Sequence, residues 1–484
     1  MIATIPGGVS CAGTRFRRLS EEQCQKLHWA SLEILEHTGV RLYHQMAIDL
    51  LQKAGAHISE GNRARIPASL VEKALNTVPQ QVTLYNRHGE AAIRLEGHRT
   101  FFGTGSDCLN IVDHRTGERR KPVLQDVVEG VTLCDALPHI DFVMCMFLPI
   151  DVPTMVADRY QMEVLLNYTT KPIIFVTTDL AGCVDAVEMA ATVVGGTDAL
   201  RQRPLVGCYI NVTNALQHNK EALQKLLYLS GKGLPATYIP VALGGATAPI
   251  TVAGNMAIWN AGSLVGLVLS QLNREGAPFL TSGWGASALD MRTTVSPYVE
   301  PEKQFIAQEL AHLNNLPMFA FGGCSDAKFV DQQASLEAAL TLMINALAGS
   351  HLVHDLGYLE SGLTGSLAQL AICNELVSWI RSALGEVEIN DETLALDVID
   401  EVGPDGHFLG TDHTLAHFRE RWYPNLIERN NYEGWLTGGG QDLGQRAGGR
   451  VEQILAEHRP QPLPDRIQKR LRDTVERATE RFGN

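Results

Sequence analysis

The feature that most constrains this chain is a recurrence. From residue 99 onward, a short apolar stretch followed by a helix-length segment returns roughly every 30–40 residues. The apolar stretches are 99–105, 141–148, 171–177, 204–210, 236–243, 277–283, 316–322 and 350–355. Helix-length segments follow them, for example 182–194, 219–231, 251–274, 302–314 and 331–348. Each pair has the size of one βα unit. Several of the stretches follow a proline, which ends the helical segment before it.

Eight strands alternating with helices have two homes, an open doubly wound sheet or a closed ring. A dinucleotide fold would show GxGxxG after its first strand, and GTGSD at 103–107 does not match it. The expected fold is therefore α/β, a TIM (β/α)8 barrel over 99–385. An α+β cap over 1–98 precedes it, and a helical extension over 386–484 packs on the barrel or on a partner.

In the cap, residues 20–38 predict a helix with Ser20 and Gln23 forming a capping box and Gly39 ending it. A second short helix runs from Pro67 to Asn76. Val82 to Leu95, turning at His88-Gly89, reads as a hairpin. Beyond Leu384 the rhythm breaks: 391–402 is helical, and 447–484 reads most simply as a solvated terminal helix.

Hydrophobic residues make up 45% and charged residues 19%, which suits a folded chain rather than a disordered one. The formal charge of −14 argues against a nucleic-acid surface and suits neutral or cationic ligands. Nine cysteines without a CxxC pair point to a reducing, cytoplasmic setting. The first residues hold no apolar leader, and no run of about 18 apolar residues predicts a membrane span.

In such a barrel the chemistry sits on the loops after the strands. Reading off the strand ends gives Asp107, Thr177-Thr178-Asp179, Asn211, Gly244-Gly245, Trp284, Cys324-Ser325-Asp326-Lys328, and His354-Asp355-Tyr358. The pair His351 and His354 sits on a strand at a spacing that sends the rings to opposite faces, so no tightly bound metal is expected. Lys328 is the candidate for Schiff-base chemistry, with a solvated or ion-paired lysine as the alternative. Phe101, Phe102, Trp284, Phe321 and Tyr358 lie near strand ends. There they are either core residues or faces for a quaternary ammonium ion, worth about 0.5–2 kcal/mol each when desolvated.

The segments GTGSD (103–107), GGCSDAK (322–328), DQQASLEA (331–338), HLVHDLGYLESG (351–362) and NYEGWLTGGG (431–440) resemble the trimethylamine methyltransferase superfamily. The resemblance covers about residues 20–450 and implies a TIM barrel. The founding members carry pyrrolysine; none stands here, so the chain resembles the branch without it. That branch implies transfer of a methyl group from a quaternary amine, glycine betaine or a related betaine, to Co(I) of a corrinoid. The corrinoid (cobalamin) is carried by a separate partner protein. The implied roles place Phe101, Phe102, Trp284 and Tyr358 in an aromatic cage, and Asp107 near the ammonium. His354 would bind the substrate carboxylate or orient Asp355, and Asn211, Asp326 and Lys328 would contact substrate or the docked cobamide. A homo-oligomer is expected. The alternatives are a Schiff-base aldolase or lyase on the same barrel, and a betaine-binding protein without turnover.

Overall fold

The computed structural model describes residues 9–10, 16–282, 288, 290–293, 295–300 and 306–482. Parallel strands Ile173–Val176, Val206–Val212, Ala236–Pro240, Phe279–Ser282, Met318–Phe321, Leu352–His354 and Arg99–Phe102 hydrogen-bond in that order. The remaining gap is closed by residues 142–147, through the parallel bridges Gly103↔Phe142 and Val143↔Ile173. The ring is thus complete. Helices Leu124–Ala136, Ala157–Tyr168, Leu180–Val194, Lys220–Lys232, Val252–Asn273, Ile306–Leu313, Gln332–Ala348 and Leu367–Ala383 return along its outside. The fold is a TIM (β/α)8 barrel, and every strand lies within or against a stretch the apolar rhythm marked. The second strand makes only isolated bridges instead of a ladder, so it is the least regular of the eight.

The cap plugs the floor. Its hairpin, Val82–Tyr85 against Ala91–Leu95, sends Val82, Leu84, Ile93 and Leu95 into one cluster with Phe101, Phe142, Phe319 and Leu352. The helix Glu21–Glu33 carries the expected capping box, Ser20 and Gln23 bonding reciprocally. It continues as a π turn to Gly39, where a Cβ would lie 2.5 Å from the Ala64 carbonyl oxygen and φ is +70°. Only glycine fits both demands.

The helix Val252–Asn273 is long and apolar enough to cross a membrane, yet 78% of its most apolar window is buried. The reason is local: cap helices Glu21–Glu33 and Ala68–Thr77 pack over it, so its outer face is interior too.

The C-terminal stretch departs from the solvated helix expected there. It forms two helices, Leu443–Glu457 and Asp465–Phe482, each with an apolar stripe turned inward. Ala447, Val451 and Ile454 are buried where the first lies over Leu367–Ala383 and Leu124–Ala136. Leu471, Val475 and Ala478 are buried where the second crosses Ala157–Tyr168 and Leu180–Val194. The high charge of 447–484 hid this spacing, because the apolar residues are few but fall on one face. Residues 391–402 are two short helices, split at Ala395 with φ +50°.

Candidate active site

Alternation along the strands decides which side chains enter the ring. Phe319, Tyr209 and His354 enter it together: the His354 ring is tilted against both, 4.2 Å from Phe319 and 6.1 Å from Tyr209, ring centre to ring centre. Phe319 belongs to the apolar floor cluster, and His354 and Tyr209 rest on it at the C-terminal mouth. His351, on the other side of the chain, is tied to Met318 N and Gly97 O, and burial lowers its pKa to about 4. Among the described residues no group of three or more metal-ligating side chains converges.

The strand ending at His354 delivers Asp355 in a left-handed backbone, φ +76°, and the first strand delivers Asp107 in the same state, φ +65°. A non-glycine residue there costs about 1–3 kcal/mol, so the surrounding structure must impose it. The surroundings are visible. The Tyr298 hydroxyl donates to Asp355 Oδ2, and Tyr358 Oη donates to the Ser106 carbonyl. Gln161 Nε2 donates to Asp107 Oδ1 at 3.0 Å. Gly105 packs against this group so tightly that a Cβ would sit 2.0 Å from Asp355 Oδ1 and 2.5 Å from Tyr358 Oη. The glycine in GTGSD is there for space.

Burial raises the pKa of Asp355, with the nearby His354 opposing it. Burial also raises that of Asp107; the Gln161 hydrogen bond opposes this and the charge of Asp158 adds to it. Among the described residues, neither carboxylate has a lysine or arginine in ion-pair contact. Only His354 Nε2 faces Asp355 Oδ1, at 3.4 Å. His354 Nδ1 is 2.6 Å from the Ala320 carbonyl, to which it donates, so Nε2 of the neutral ring presents a lone pair to the carboxylate. The contact becomes attractive when the pair holds one further proton, as imidazolium–carboxylate or as imidazole–acid. Burial favours the neutral ring, and the Tyr298 hydroxyl favours the carboxylate.

The other sequence candidates separate clearly. Phe101 lies inside the ring, but in the floor cluster with the cap hairpin, below the mouth. Phe102 points outward, with the Arg381 guanidinium 5.9 Å over its ring, and leaves the cage set because successive strand residues face opposite ways. Trp284 lies outside the described residues. Asn211 is exposed and shares the inward parity of Tyr209. Asp326 is occupied: its carboxylate accepts from Tyr298 N at 2.9 Å, Val299 N at 3.3 Å and Ser361 Oγ at 2.7 Å. It pins loops together, which removes it from direct contact with a ligand. Lys328 is exposed and its Nζ donates to the Asp326 carbonyl, so it lacks the desolvation that a Schiff-base lysine needs.

No motif in the sequence marks Tyr298, Tyr209 or Gln161. Tyr298 stands T-shaped on Phe321, centroids 5.3 Å apart, at the end of the long connection after the sixth strand. In the sequence, 18 residues (284–301) separate the sixth apolar stretch from the next helix-length segment, more than in most βα loops, and that length is the available signal.

Residues 9–483 match the family described as "Trimethylamine methyltransferase (MTTB)". A trimethylamine methyltransferase MttB of Desulfitobacterium hafniense (strain DSM 10664 / DCB-2) is 36% identical over 96% of this chain and 94% of its own length. A glycine betaine methyltransferase of Desulfitobacterium hafniense (strain Y51) is 28% identical over 97% of this chain and 98% of its own. Among solved structures, the monomethylamine methyltransferase of Methanosarcina barkeri superposes with a TM-score of 0.49 at 12% identity, covering 92% of this chain and 90% of that one.

Proposed function

The chain belongs to the trimethylamine methyltransferase family and is a methyltransferase, and on that premise we propose that its donor is a quaternary amine of the betaine class. The acceptor in this reading is Co(I) of a corrinoid carried by a separate protein. One observation carries the choice of donor: buried Asp355 and half-buried Asp107 share the mouth with Tyr209, Tyr298 and Tyr358 and have no lysine or arginine paired to them among the described residues. Such a mouth favours a cation that brings its own charge and asks for no hydrogen-bond acceptor. A betaine carboxylate would meet the exposed Asn211 amide.

A quaternary nitrogen leaves as a neutral tertiary amine. The electron pair of the broken N–CH3 bond returns to nitrogen, and no proton has to be supplied. The side chains therefore need only to bind, orient and exclude water. The acceptor's reach is served by a rim of exposed apolar residues on the strand-to-helix loops, Leu109, Ile150, Ile250, Phe329 and Leu363, against which a flat macrocycle and its carrier can rest.

The test is a panel of betaines and trimethylamine, each incubated with the enzyme and free cob(I)alamin while methylcobalamin is followed by absorbance. Turnover of one or more betaines with none of trimethylamine supports the proposal. Turnover of trimethylamine alone, or tight betaine binding without methylation, overturns it.

A further inference from the structure

The chain that follows the first strand is tied down bond by bond. Gly103 bridges Phe142, and the Thr104 hydroxyl donates to the Met144 carbonyl while accepting from Met144 N. Asp107 N donates to the Cys145 carbonyl at 3.0 Å, and Cys108 N to the Met146 carbonyl at 2.8 Å. These bonds join residues 103–108 to the irregular second strand and impose the left-handed state of Asp107, φ +65°. They fix the backbone. The two side-chain torsions that aim the carboxylate are left open by them.

A side chain from outside the ring closes that freedom. Gln161 is buried on the Ala157–Tyr168 helix, and its Nε2 donates to Asp107 Oδ1 at 3.0 Å and to the Phe147 carbonyl at 2.9 Å. An amide nitrogen carries two hydrogens, so both are used, one on each strand end. The partners also fix which way the amide faces. With its oxygen and nitrogen exchanged, an acceptor would meet a carbonyl and a carboxylate, and neither can donate. Glutamine has the reach and the two donor directions; an ionised glutamate would have the reach alone.

We propose that Gln161 is the positioning residue of this site: its amide holds Asp107 as a carboxylate, in one orientation, for the cationic nitrogen of the donor. This rests on the reading of the mouth as a receiver for a quaternary amine. Gln161 itself touches no donor, whereas Asp107 is half-buried and so still reached from the mouth. The other groups around Asp107 cannot take over the task. Burial raises its pKa; against that, the Gln161 hydrogen bond is the strongest effect, with Ser106 and the charge of Lys225 adding less and the charge of Asp158 working the other way. The Lys225 ammonium is given to the Thr177 carbonyl. Cys108, Cys145, Tyr209 and Tyr358 also face the carboxylate, and burial pushes the pKa of each one up, which keeps them neutral.

Infrared spectra of the full chain taken against pH test this without any donor, the Asp107 carboxyl band being the one that Asp107→Asn lacks. Gln161→Met removes the donating hydrogens at similar volume, so the protonated Asp107 band should persist about one to two pH units above its wild-type range. Gln161→Glu sets two carboxyls face to face, which then share one proton, and a protonated band should again persist above the wild-type range. It keeps the size and one hydrogen of the amide, so it decides the matter should Gln161→Met fail to fold. With whichever donor the wild type methylates from, KM of Gln161→Met should rise about 10- to 150-fold on the acid side, less toward alkaline pH, with kcat changed less. A band that titrates at the wild-type pH in both variants overturns the proposal. So does a shifted band accompanied by an unchanged KM. A wild type that methylates from trimethylamine alone overturns the betaine reading instead, and the infrared comparison tells the two failures apart.

Discussion

Replacing Tyr298 by Phe isolates the bond that holds the mouth. The ring stays, with its T-shaped contact on Phe321 at 5.3 Å. What goes is the hydroxyl that donates to Asp355 Oδ2. A hydrogen bond to a charged group is worth about 1.5–3 kcal/mol, and here it stabilises the carboxylate against the acid. Its loss shifts the balance toward the acid by a factor of about 10–150. The sign follows from the direction already present: burial raises the Asp355 pKa, Tyr298 opposes that, and Tyr298→Phe lets it rise further. A cationic donor binds to the carboxylate. The acid limb of kcat/KM, measured with a betaine and cob(I)alamin, should therefore move to higher pH in the variant. At a fixed pH on that limb the fall should be about 10- to 150-fold, shrinking toward alkaline pH. A control urea titration should show the fold retained, because the ring contact remains. An acid limb that does not move, with kcat/KM reduced equally at every pH, would refute the role given to this pair.

Further outcomes follow from single contacts. Gly105→Ala places a methyl group 2.0 Å from Asp355 Oδ1, so methyl transfer should be lost, with a stability cost of about 1–3 kcal/mol visible in the urea midpoint. Lys328→Ala removes an exposed side chain bonded only to a backbone carbonyl; activity should stay within about twofold, stability within about 0.5 kcal/mol, and borohydride with substrate should leave no label on the wild-type lysine. His351 titrates at about 4 when folded against 6.5 in the open chain, because it is buried. The unfolded state then binds the proton first as pH falls, so up to about 3 kcal/mol of stability present above pH 6.5 is lost on acidification toward 4. Denaturation midpoints measured across that window should be flatter in His351→Gln.

The barrel was legible because its signal is repeated. A strand buried on both faces has to be apolar throughout, and eight such runs at one spacing leave few topologies. Asp107, His354, Asp355 and Tyr358 were legible for the same reason, since strand ends are where a barrel exposes chemistry. Phe101 and Phe102 show where that reasoning stops. Adjacent on one strand, they face opposite ways, and neither face of a fully apolar strand is marked as inner. Tyr298 was invisible for another reason: it reaches Asp355 from a different loop, 57 positions away in the chain. The apolar content of 386–421 predicts a packed extension, but composition does not say against what it packs.

The arrangement of the mouth also says which kinetic constant the carboxylates should govern. In the proposed reaction a cationic donor meets a reduced metal centre, and charge is lost on the way to the transition state. Asp107 and Asp355 attract the donor most strongly before that loss, so they act on binding more than on the chemical step. The rate itself must come from the dry surroundings: Phe319, the floor below and Tyr358 are buried, with the half-buried Tyr209 and Tyr298 alongside. Neutralising Asp107 with Asn should consequently raise KM more than it lowers kcat, whereas opening the layer beneath His354 by Phe319→Ala should lower kcat. The strain of two left-handed carboxylates is then understandable as the cost of placing negative charge where water is excluded but a quaternary ammonium can still enter.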